Sequence, residues 1–367
     1  MSTNQSKLNH HNYFMDLALQ QAHKNLGSTS ENPSVGCVIT KNNNVISVGC
    51  TSNHGRPHAE YNAIKNAKIS LKDSEIYITL EPCSHFGKTP PCTNLILRKR
   101  IKKVFYSIKD PDKRSFNKSY KNLTQKKITV KSGFVSKKVN SFYKSYIKFK
   151  KHKLPFVTLK IAISKDYFTI NKKSKWITNK YSRGRVHLIR SKNDCIITTA
   201  KTVHDDNPLL TCRIDGLAFK SPARVILDKN LTTPLSSNIF KDTSLYKTII
   251  FYNNFNYKKI KVLKKIKVIP IKVKIDKTGQ LDLQEILLII KKFDYSRVLV
   301  EGGARLIKSF LNGGFVDDLS LFISNKKLNN LGSNNIKKCL SLAIKNKKKS
   351  IEKVNLFGEK LITYNIK

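Results

Sequence analysis

The feature that most constrains the fold of this chain is a set of three potential metal ligands that lie far apart in sequence. His58 opens the triplet His-Ala-Glu, Cys83 follows a proline, and Cys92 follows two prolines. One imidazole and two thiolates fill three positions of a tetrahedral Zn²⁺ ion, and an open fourth position is typical of a catalytic site. A shared ion requires these three residues to meet in space.

Glu60 lies two residues beyond the imidazole, at the start of a predicted helix. A His and a Glu at this spacing can approach the same pocket without both binding the metal, and the helix dipole there favours negative charge. Zinc lowers the pKa of bound water from about 15.7 to about 7. A carboxylate can then carry protons to a ring nitrogen and a departing amine. We therefore predict hydrolytic deamination, with His58, Cys83 and Cys92 as zinc ligands and Glu60 as the proton shuttle.

A closed structural zinc site that adds His85 as a fourth ligand is the alternative for this region. Glu60 would then have no role, and a chain of this length does not need a metal to hold its core together. Eight residues separate Cys83 from Cys92, which is wider than the C-x-x-C of deaminases that act on DNA or RNA. The spacing therefore favours a free heterocycle as substrate.

The length and composition of the chain predict a two-domain α/β protein. The chain has 367 residues, against a prior of about 150 residues for each domain. Its hydrophobic content of 40% is enough for packed cores. No run approaches the roughly 20 apolar residues of a membrane span, and the N-terminus does not resemble a signal peptide. Seven cysteines do not suggest a disulfide framework. We expect a cytoplasmic protein with reduced cysteines and no membrane partner.

The formal net charge of +46 raises the possibility of a nucleic-acid deaminase or binding module. Only 11 of the 70 basic residues are arginines, however, and the lysines are spread along the whole chain. Arginine is the residue preferred for phosphate and base recognition. The charge therefore indicates a compositional bias toward Lys, Asn and Ile, and we expect nonspecific polyanion binding at low salt but no specific nucleic-acid partner.

Helical and strand patterns alternate along both halves of the chain. The first half predicts the order αββαβαβ and a mixed sheet with helices on its faces. A charged stretch at 146–155, ending in proline, predicts a boundary between domains 1–148 and 155–367. The second half predicts a mostly parallel sheet with strands at 156–162, 194–198, 224–228, 248–251, 268–271 and 297–301.

Three segments carry a close resemblance to the deaminase half of the RibD family, the bifunctional deaminase/reductases of riboflavin biosynthesis. They are Asn32-Pro-Ser-Val-Gly36, Arg56-Pro-His-Ala-Glu60 and the fourteen residues from Thr79 to Cys92. The resemblance continues through the second half and is weakest from about residue 115 to 131 and beyond residue 332. It implies a cytidine-deaminase-like three-layer N-terminal domain, a dihydrofolate-reductase-like C-terminal domain, Zn²⁺ and NADPH as cofactors, and a homo-oligomer.

The resemblance also implies the reactions and the site residues of the first domain. The substrate would be 2,5-diamino-6-ribosylamino-4(3H)-pyrimidinone 5′-phosphate, a phosphoribosylated pyrimidine. Its deaminated product, 5-amino-6-(5-phosphoribosylamino)uracil, would be reduced to the ribityl compound by the second domain. Asn32, Lys88 and Asp110 lie where the family contacts this substrate. Taken alone, Asn32 is equally typical of a turn before proline, and a single lysine such as Lys88 is usually a surface residue.

Two features of the second domain suggest a cofactor without the resemblance. Gly302 and Gly303 lie at a strand-to-helix turn, where a phosphate can approach backbone N–H groups, although paired glycines are common in turns. Trp176, the sole tryptophan, belongs either to the core or to a surface that stacks on a flat ring.

The resemblance assigns two sets of residues in the second domain. Arginines suit a ribose phosphate because they can bind it through two parallel hydrogen bonds. The residues that it places on the substrate are Ser174, Arg190, Leu210, Arg213 and Glu301. The residues that it places on NADPH are Ala162, Trp176, Thr202, Asp206, Lys229, Gly303, Ala304, Arg305, Leu306, Ile307, Lys308 and Ser309.

The chain departs from the family pattern at several positions. Tyr167 stands where the family usually has a glycine, which suggests a different turn, Lys201 lies where glycines are usual, and Lys229 replaces a serine. Asp112 stands in place of an asparagine, and the residues 113–118 replace a glycine-rich stretch. These departures leave a deaminase with a non-catalytic reductase domain as an alternative.

Overall fold

Two separate sheets organise the chain, one in each of two units, Met1–His152 and Lys153–Lys367. The computed structural model describes residues 2–367, with side chains from residue 8 onward. Each unit has its own cluster of buried apolar side chains. Among the residues described, no helix combines the length and the apolar character needed to cross a membrane.

The first unit is a five-stranded mixed sheet with helices on its faces; its first seven elements follow the predicted order αββαβαβ, and α4, β5 and α5, which were not predicted, follow them. The strands lie in the order β2-β1-β3-β4-β5, and β1 is antiparallel to both neighbours while β3, β4 and β5 are parallel. The elements are α1 (Ser2–His23), β1 (Gly36–Lys41), β2 (Asn44–Cys50), α2 (Ala59–Asn66), β3 (Glu75–Leu80), α3 (Cys92–Arg98), β4 (Lys103–Ile108), α4 (Lys118–Gln125), β5 (Thr129–Ser132) and α5 (Ser136–Lys151).

Local sequence explains the β1–β2 hairpin. Asn42 and Asn43 both adopt left-handed backbone conformations, with φ of 50° and 64°. Asparagine tolerates this region better than other residues with a side chain, and two such residues match the twist of a hairpin. The turn was therefore predictable from its polar sequence.

Side-chain packing accompanies the full length of two helices. Helix α1 begins at Ser2, and Nδ1 of His11 in this helix lies 2.8 Å from the Tyr77 hydroxyl. The charged stretch at 146–155, where we predict a boundary between domains, is helical as far as Lys151. Tyr146 and Phe149 are each only 7% exposed, so aromatic burial outweighs the high local charge and extends α5.

The second unit contains a nine-stranded sheet in the order β11-β10-β9-β8-β12-β6-β13-β16-β15. Along this order, every neighbouring pair from β11 through to β13 is parallel, whereas β16 is antiparallel to both β13 and β15. The prediction of a mostly parallel sheet is therefore confirmed. Strands β7 and β14 form a separate ribbon. The elements are β6 (Phe156–Ile163), β7 (Phe168–Asn171), α6 (Lys180–Arg190), β8 (Cys195–Thr199), α7 (Ala200–Asp206), β9 (Ala223–Leu227), β10 (Thr248–Tyr252), α8 (Tyr257–Lys265), β11 (Val268–Lys272), α9 (Leu283–Lys292), β12 (Arg297–Val300), α10 (Ala304–Asn312), β13 (Asp318–Ile323), β14 (Gly332–Asn335), α11 (Lys337–Ile344), β15 (Lys348–Ile351) and β16 (Lys360–Asn365).

Tyr167 occupies the turn between β6 and β7 in a left-handed conformation, with φ of 71°. Its N–H donates to the carbonyl of Ser164 at 3.0 Å, which closes the turn. The backbone therefore takes the conformation that favours glycine, at a cost of roughly 1–2 kcal/mol for a residue with a side chain. The tyrosine ring packs against the core of the unit, which offsets part of this cost.

Candidate metal centre and a second site

The three predicted zinc ligands converge at the carboxyl end of β3. Nδ1 of His58 lies 3.6 Å from Sγ of Cys83 and 3.5 Å from Sγ of Cys92. His58 is the N-cap residue of α2, Cys83 follows β3, and Cys92 is the first residue of α3. The ligand atoms all lie within 4.8 Å of one another. One imidazole and two thiols at this spacing form the donor set of a zinc ion with one open position.

His85 does not join this cluster. Its Nδ1 lies 3.0 Å from the hydroxyl of Ser115, in the loop after β4. The potential metal-binding group among the described residues contains His58, Cys83 and Cys92 but not His85. The arrangement therefore favours an open catalytic site over a closed structural one.

Glu60 lies in the first turn of α2 and is only 3% exposed. Burial raises the pKa of its carboxyl to about 7, although the nearby His58 opposes the rise. A carboxyl that titrates near neutrality can both accept and release a proton at physiological pH. Cys83 shows the opposite effect, since hydrogen bonds from the Cys92 thiol and from His58 lower its thiol pKa to about 4. A thiolate is the form that binds a metal.

The predicted pyrimidine contacts of the first unit lie in different environments. Asp110 is 7% exposed, and its Oδ1 accepts from the Tyr146 hydroxyl at 3.0 Å and from the Asp112 N–H at 2.9 Å. Burial raises the pKa of Asp110 to about 6. Asn32 is half-buried and Lys88 is exposed. Their contact with a substrate stays a prediction.

Sequence reasoning missed the role of Glu81, which lies inside the zinc motif between β3 and Cys83. Its carboxylate is 3% exposed and accepts four hydrogen bonds. The donors are the N–H groups of Asp110, Asn117 and Ser119, at 3.2, 3.0 and 3.2 Å, and the Ser119 hydroxyl at 2.8 Å. Glu81 therefore fixes the loop after β4. The available signal was an acidic residue directly after a buried apolar strand.

In the second unit, Arg190 and Glu301 bind each other. Nε of Arg190 lies 2.8 Å from Oε1 of Glu301, and Nη2 lies 3.0 Å from Oε2. Lys160 adds its ammonium group at 4.0 Å from Oε2. Burial acts to raise the pKa of Glu301, but Arg190 and then Lys160 outweigh it and lower the pKa to about 2. The site therefore holds a buried, fixed carboxylate beside two cations.

The glycine turn after β12 leaves the start of α10 open. Gly303 is its N-cap residue and is exposed, no side chain caps the helix, and a Cβ atom at Gly303 would meet nothing within 4 Å. Free N–H groups at a helix start attract phosphate. The side chains of Leu306 and Ile307 are buried in the core, so only their main-chain atoms can reach a cofactor. Ala304 and Ser309 are half-buried, whereas Arg305 and Lys308 are exposed.

Trp176 is 53% exposed, so of the two alternatives for this residue the one that places it in the core is wrong. The Arg183 guanidinium lies over the ring, 4.6 Å from its centroid. Ser174 accepts from the Trp176 N–H at 3.2 Å, which fixes the backbone here. Lys175 donates to the carbonyl of Asp206 at 3.0 Å. An exposed indole held in this way can stack on a flat ring.

The remaining predicted contacts of the second unit are spread over several elements. Leu210 is buried with a left-handed φ of 55°, Arg213 is exposed and Ala162 is half-buried. The hydroxyl of Thr202 lies 3.1 Å from that of Thr199. Lys229 donates to the carbonyl of Gly279 at 2.7 Å. Their contacts with a cofactor or substrate stay predictions.

Comparisons with known proteins agree with the two-unit organisation. Residues 155–354 match the model of the RibD C-terminal domain, and residues 8–108 match the cytidine and deoxycytidylate deaminase zinc-binding region. The riboflavin biosynthesis protein RibD of Bacillus amyloliquefaciens is 36% identical over 314 residues, which cover 85% of this chain and 84% of the relative. RibD of Aquifex aeolicus is 34% identical over 360 residues, covering 96% and 97%.

Solved structures show the same likeness over the whole chain. A diaminohydroxyphosphoribosylaminopyrimidine deaminase/5-amino-6-(5-phosphoribosylamino)uracil reductase from Thermotoga maritima has a TM-score of 0.84 and 30% identity, and the match covers 98% of this chain and all of that one. RibD from Acinetobacter baumannii has a TM-score of 0.84, 27% identity and coverage of 98% and 99%. The predicted fold class is thereby confirmed. The chain belongs to the RibD family of riboflavin biosynthesis enzymes, with a zinc-type deaminase domain followed by a reductase domain.

Proposed function

We propose that this chain deaminates a phosphoribosylated diaminopyrimidine in its first unit and reduces the aminouracil product with NADPH in its second. The observation that carries the first step is the convergence of His58, Cys83 and Cys92 beside the buried carboxyl of Glu60. The observation that supports the second is the open glycine turn at α10, together with the fixed Arg190–Glu301 pair. We assign these residues and the units 1–148 and 155–367 to the two activities.

In the deamination, His58, Cys83 and Cys92 would hold the zinc ion. When bound, the ion would supply a water molecule whose pKa is lowered to about 7. Glu60 would take one proton from this water and pass it to the ring nitrogen, and would then carry the second proton of the water to the departing amine, which leaves as ammonia while the oxygen stays on the ring carbon. Its raised pKa, about 7, suits both the acceptance and the release of that proton. Asn32, Lys88 and Asp110 orient the pyrimidine and its phosphate.

In the reduction, bound NADPH would supply a hydride to the C1 carbon of the ribose, while the bond from C1 to the ring oxygen breaks and that oxygen takes a proton from solvent. The N–H groups at the start of α10 would hold a phosphate of the cofactor, and Trp176 would offer a face for stacking. Arg190 and Arg213 bind the ribose phosphate of the substrate, with Glu301 fixing the orientation of Arg190. Because the site holds a fixed ion pair rather than a titrating acid and base, alignment of the two reactants provides much of the rate.

Three further statements complete the proposal. The enzyme acts in the cytoplasm as a homo-oligomer, as the family resemblance implies. It has no specific nucleic-acid partner, because its positive charge comes mostly from dispersed lysines. Both cofactors, zinc and NADPH, are required for the complete sequence of reactions.

A coupled assay tests the proposal directly. Zinc-loaded protein is given the diaminopyrimidine, and both ammonia release and NADPH oxidation are followed. The Glu60→Gln variant is expected to retain zinc and to lose ammonia release, while it still oxidises NADPH when supplied with the aminouracil. Glu31→Gln, at an exposed carboxylate of the same unit, is the matched control. Normal ammonia release by Glu60→Gln would refute the shuttle, and no NADPH oxidation by wild type would refute the reductase assignment.

A further inference from the structure

A cavity of about 690 Å³ lies in the first unit, between the carboxyl end of β4, the loop that follows it and helix α5. Small-molecule sites typically measure roughly 300–1,000 Å³. The cavity is lined neither by the zinc ligands nor by the predicted substrate contacts. Its loop includes part of the stretch 113–118, which replaces the glycine-rich segment usual in the family. The cavity is therefore lined by residues assigned to neither reaction, although Lys109 and Pro111 flank the predicted substrate contact Asp110.

The charged lining of the cavity is entirely positive among the residues described. Its charged lining residues are Lys109, Lys113 and Lys151, and no acidic residue lines the space. The two acids of the loop are engaged elsewhere. Asp110 accepts from the Tyr146 hydroxyl at 3.0 Å, and Asp112 bonds to Arg114 at 2.7 Å and lies 3.4 Å from Nζ of Lys150. Three lysines around a concave surface create a potential that attracts an anion such as a phosphate.

The rest of the lining is apolar and includes an aromatic ring. Ile108 and Ile147 form part of the wall, and the ring of Phe116 is 53% exposed. Nζ of Lys109 lies 5.5 Å from the centroid of this ring. An exposed aromatic ring beside a cation offers a stacking face for a planar heterocycle. The same cavity thus presents a face for a ring and a charge for a phosphate.

The loop after β4, which forms one wall of the cavity, is held in place by Glu81 and His85. The carboxylate of Glu81 binds the N–H groups of Asp110 and Asn117, on either side of Lys113 and Phe116. Ser115 is fully buried, and its hydroxyl lies 3.0 Å from Nδ1 of His85. A preformed wall binds a ligand more tightly than a mobile one, because less conformational entropy is lost.

We propose that this cavity is a binding site for a phosphorylated planar heterocycle of mononucleotide size. Phe116 stacks on the ring, and Lys113, Lys151 and Lys109 hold the phosphate. The contact between Ser115 and His85 connects this wall to the loop between the two cysteine ligands. Binding at the cavity can be measured without turnover, so a failure of this proposal is distinguishable from a failure of the proposed reactions.

The test is calorimetric titration of the full-length, zinc-loaded protein with adenosine 5′-monophosphate and uridine 5′-monophosphate. Adenosine, uridine and inorganic phosphate are the comparison ligands. The double variant Lys113→Ala/Lys151→Ala is expected to weaken nucleotide binding by about tenfold, given the modest contribution of each partly exposed ion pair. The double variant Lys121→Ala/Lys137→Ala removes the same charge at exposed positions outside the cavity and is expected to bind as wild type.

A second variant separates stacking from charge. Phe116→Ala is expected to weaken binding of the nucleotides and of the nucleosides, and thermal unfolding confirms that each variant is folded. Wild-type nucleotide affinity in Lys113→Ala/Lys151→Ala would overturn the proposal. Equal affinity for nucleotides and inorganic phosphate would do the same, since it would indicate simple counter-ion binding. These binding measurements need no turnover, so their failure leaves the proposed reactions untouched.

Steady-state deamination identifies the source of the ligand. If the phosphoribosyl end of the substrate itself fills the cavity, Lys113→Ala/Lys151→Ala raises the KM of deamination without changing kcat. If a separate nucleotide fills it, the variant deaminates normally and loses any response to added nucleotide. A raised KM and an unchanged deamination rate therefore both support a site for a phosphorylated heterocycle, provided that the variant has also lost nucleotide binding.

Discussion

Arg190 and Glu301 form a buried pair joined by two parallel hydrogen bonds of 2.8 and 3.0 Å. Sequence resemblance assigned both residues to the substrate, and the structure shows that each is also the partner of the other. The pair fixes the plane of the guanidinium, which leaves its remaining N–H groups in a defined direction. The pair is therefore expected to orient Arg190 for the proposed substrate and to stabilise the fold.

Glu301→Gln is expected to lower both reductase activity and stability. Removal of one member of a buried ion pair leaves an uncompensated charge and costs about 3 kcal/mol of unfolding free energy. Glu352→Gln is the matched control, because its partner Arg185 and its own side chain are 27% and 38% exposed, and we expect a loss below about 1 kcal/mol. Denaturant unfolding and NADPH oxidation measure the two effects. Equal losses in the two variants would contradict the importance of the buried pair.

Asp110→Asn is expected to flatten the pH dependence of stability in the first unit. The folded pKa of Asp110, about 6, lies above the unfolded value of about 3.9, so the folded state binds the proton more tightly. Wild-type stability therefore falls as pH rises between those values, by about 2–3 kcal/mol. The asparagine can still accept from Tyr146 and from the Asp112 N–H.

The measurement for Asp110 is denaturant unfolding from pH 4 to pH 7.5. The free energy of unfolding of Asp110→Asn should increase relative to that of the wild type as pH rises. Asp112→Asn is the contrasting control, because hydrogen bonds from Arg114 hold the pKa of Asp112 well below its usual range. The ionised Asp112 stabilises the fold at neutral pH, and this contribution disappears in acid. The free energy of unfolding of Asp112→Asn should therefore decrease relative to that of the wild type as pH rises. An Asp110 variant that follows the wild-type curve would disprove the assigned shift.

Cys92→Ser is expected to abolish zinc binding and ammonia release while NADPH oxidation with supplied aminouracil is retained. The remaining imidazole and thiolate hold the metal too weakly for a stable catalytic site. Cys50→Ser, at a half-buried thiol outside the cluster, should keep its zinc. Metal content by mass spectrometry, measured after dialysis, checks both variants. Retention of a full equivalent of zinc by Cys92→Ser would be incompatible with the ligand set.

Trp176→Ala is expected to weaken NADPH binding, and Lys201→Ala is expected to leave it within about twofold of wild type. The variant would lose the indole face on which the cofactor stacks, a contact worth about 1–3 kcal/mol. The Lys201 side chain is 80% exposed and pairs with Asp205 one helical turn away, so its removal changes little. Calorimetry with NADPH measures both affinities. A large effect at Lys201 with none at Trp176 would reverse the assignment.

The sequence predicted the order of elements wherever burial imposes a simple pattern. Apolar runs such as Glu75–Leu80 and Lys103–Ile108 coincide with β3 and β4, because strands in the middle of a sheet are buried on both faces. The zinc ligands were predictable because metal chemistry limits the residue types and their spacing. Strand β13 and the strands at the sheet edge that follow it were missed.

The parts that escaped prediction depend on contacts between distant residues. Helix α1 contacts β3 through the bond between His11 and Tyr77, which are far apart in sequence. The burial of Tyr146 and Phe149 against the sheet decides that α5 continues through a run of lysines. Pairing of Arg190 with Glu301 joins a helix end to a strand end. No local pattern contains this information.

The hydrogen bonds of Glu81 explain how one loop of this enzyme can change its sequence freely. Three of the four bonds are donated by main-chain N–H groups, which every residue except proline possesses. Glu81 therefore binds the main chain of this loop, and these three bonds do not depend on which side chains the loop carries. A lineage can replace glycines by lysines and a phenylalanine there without moving the wall of the neighbouring cavity. Such a loop can acquire a new ligand preference while the catalytic motif that holds it stays unchanged.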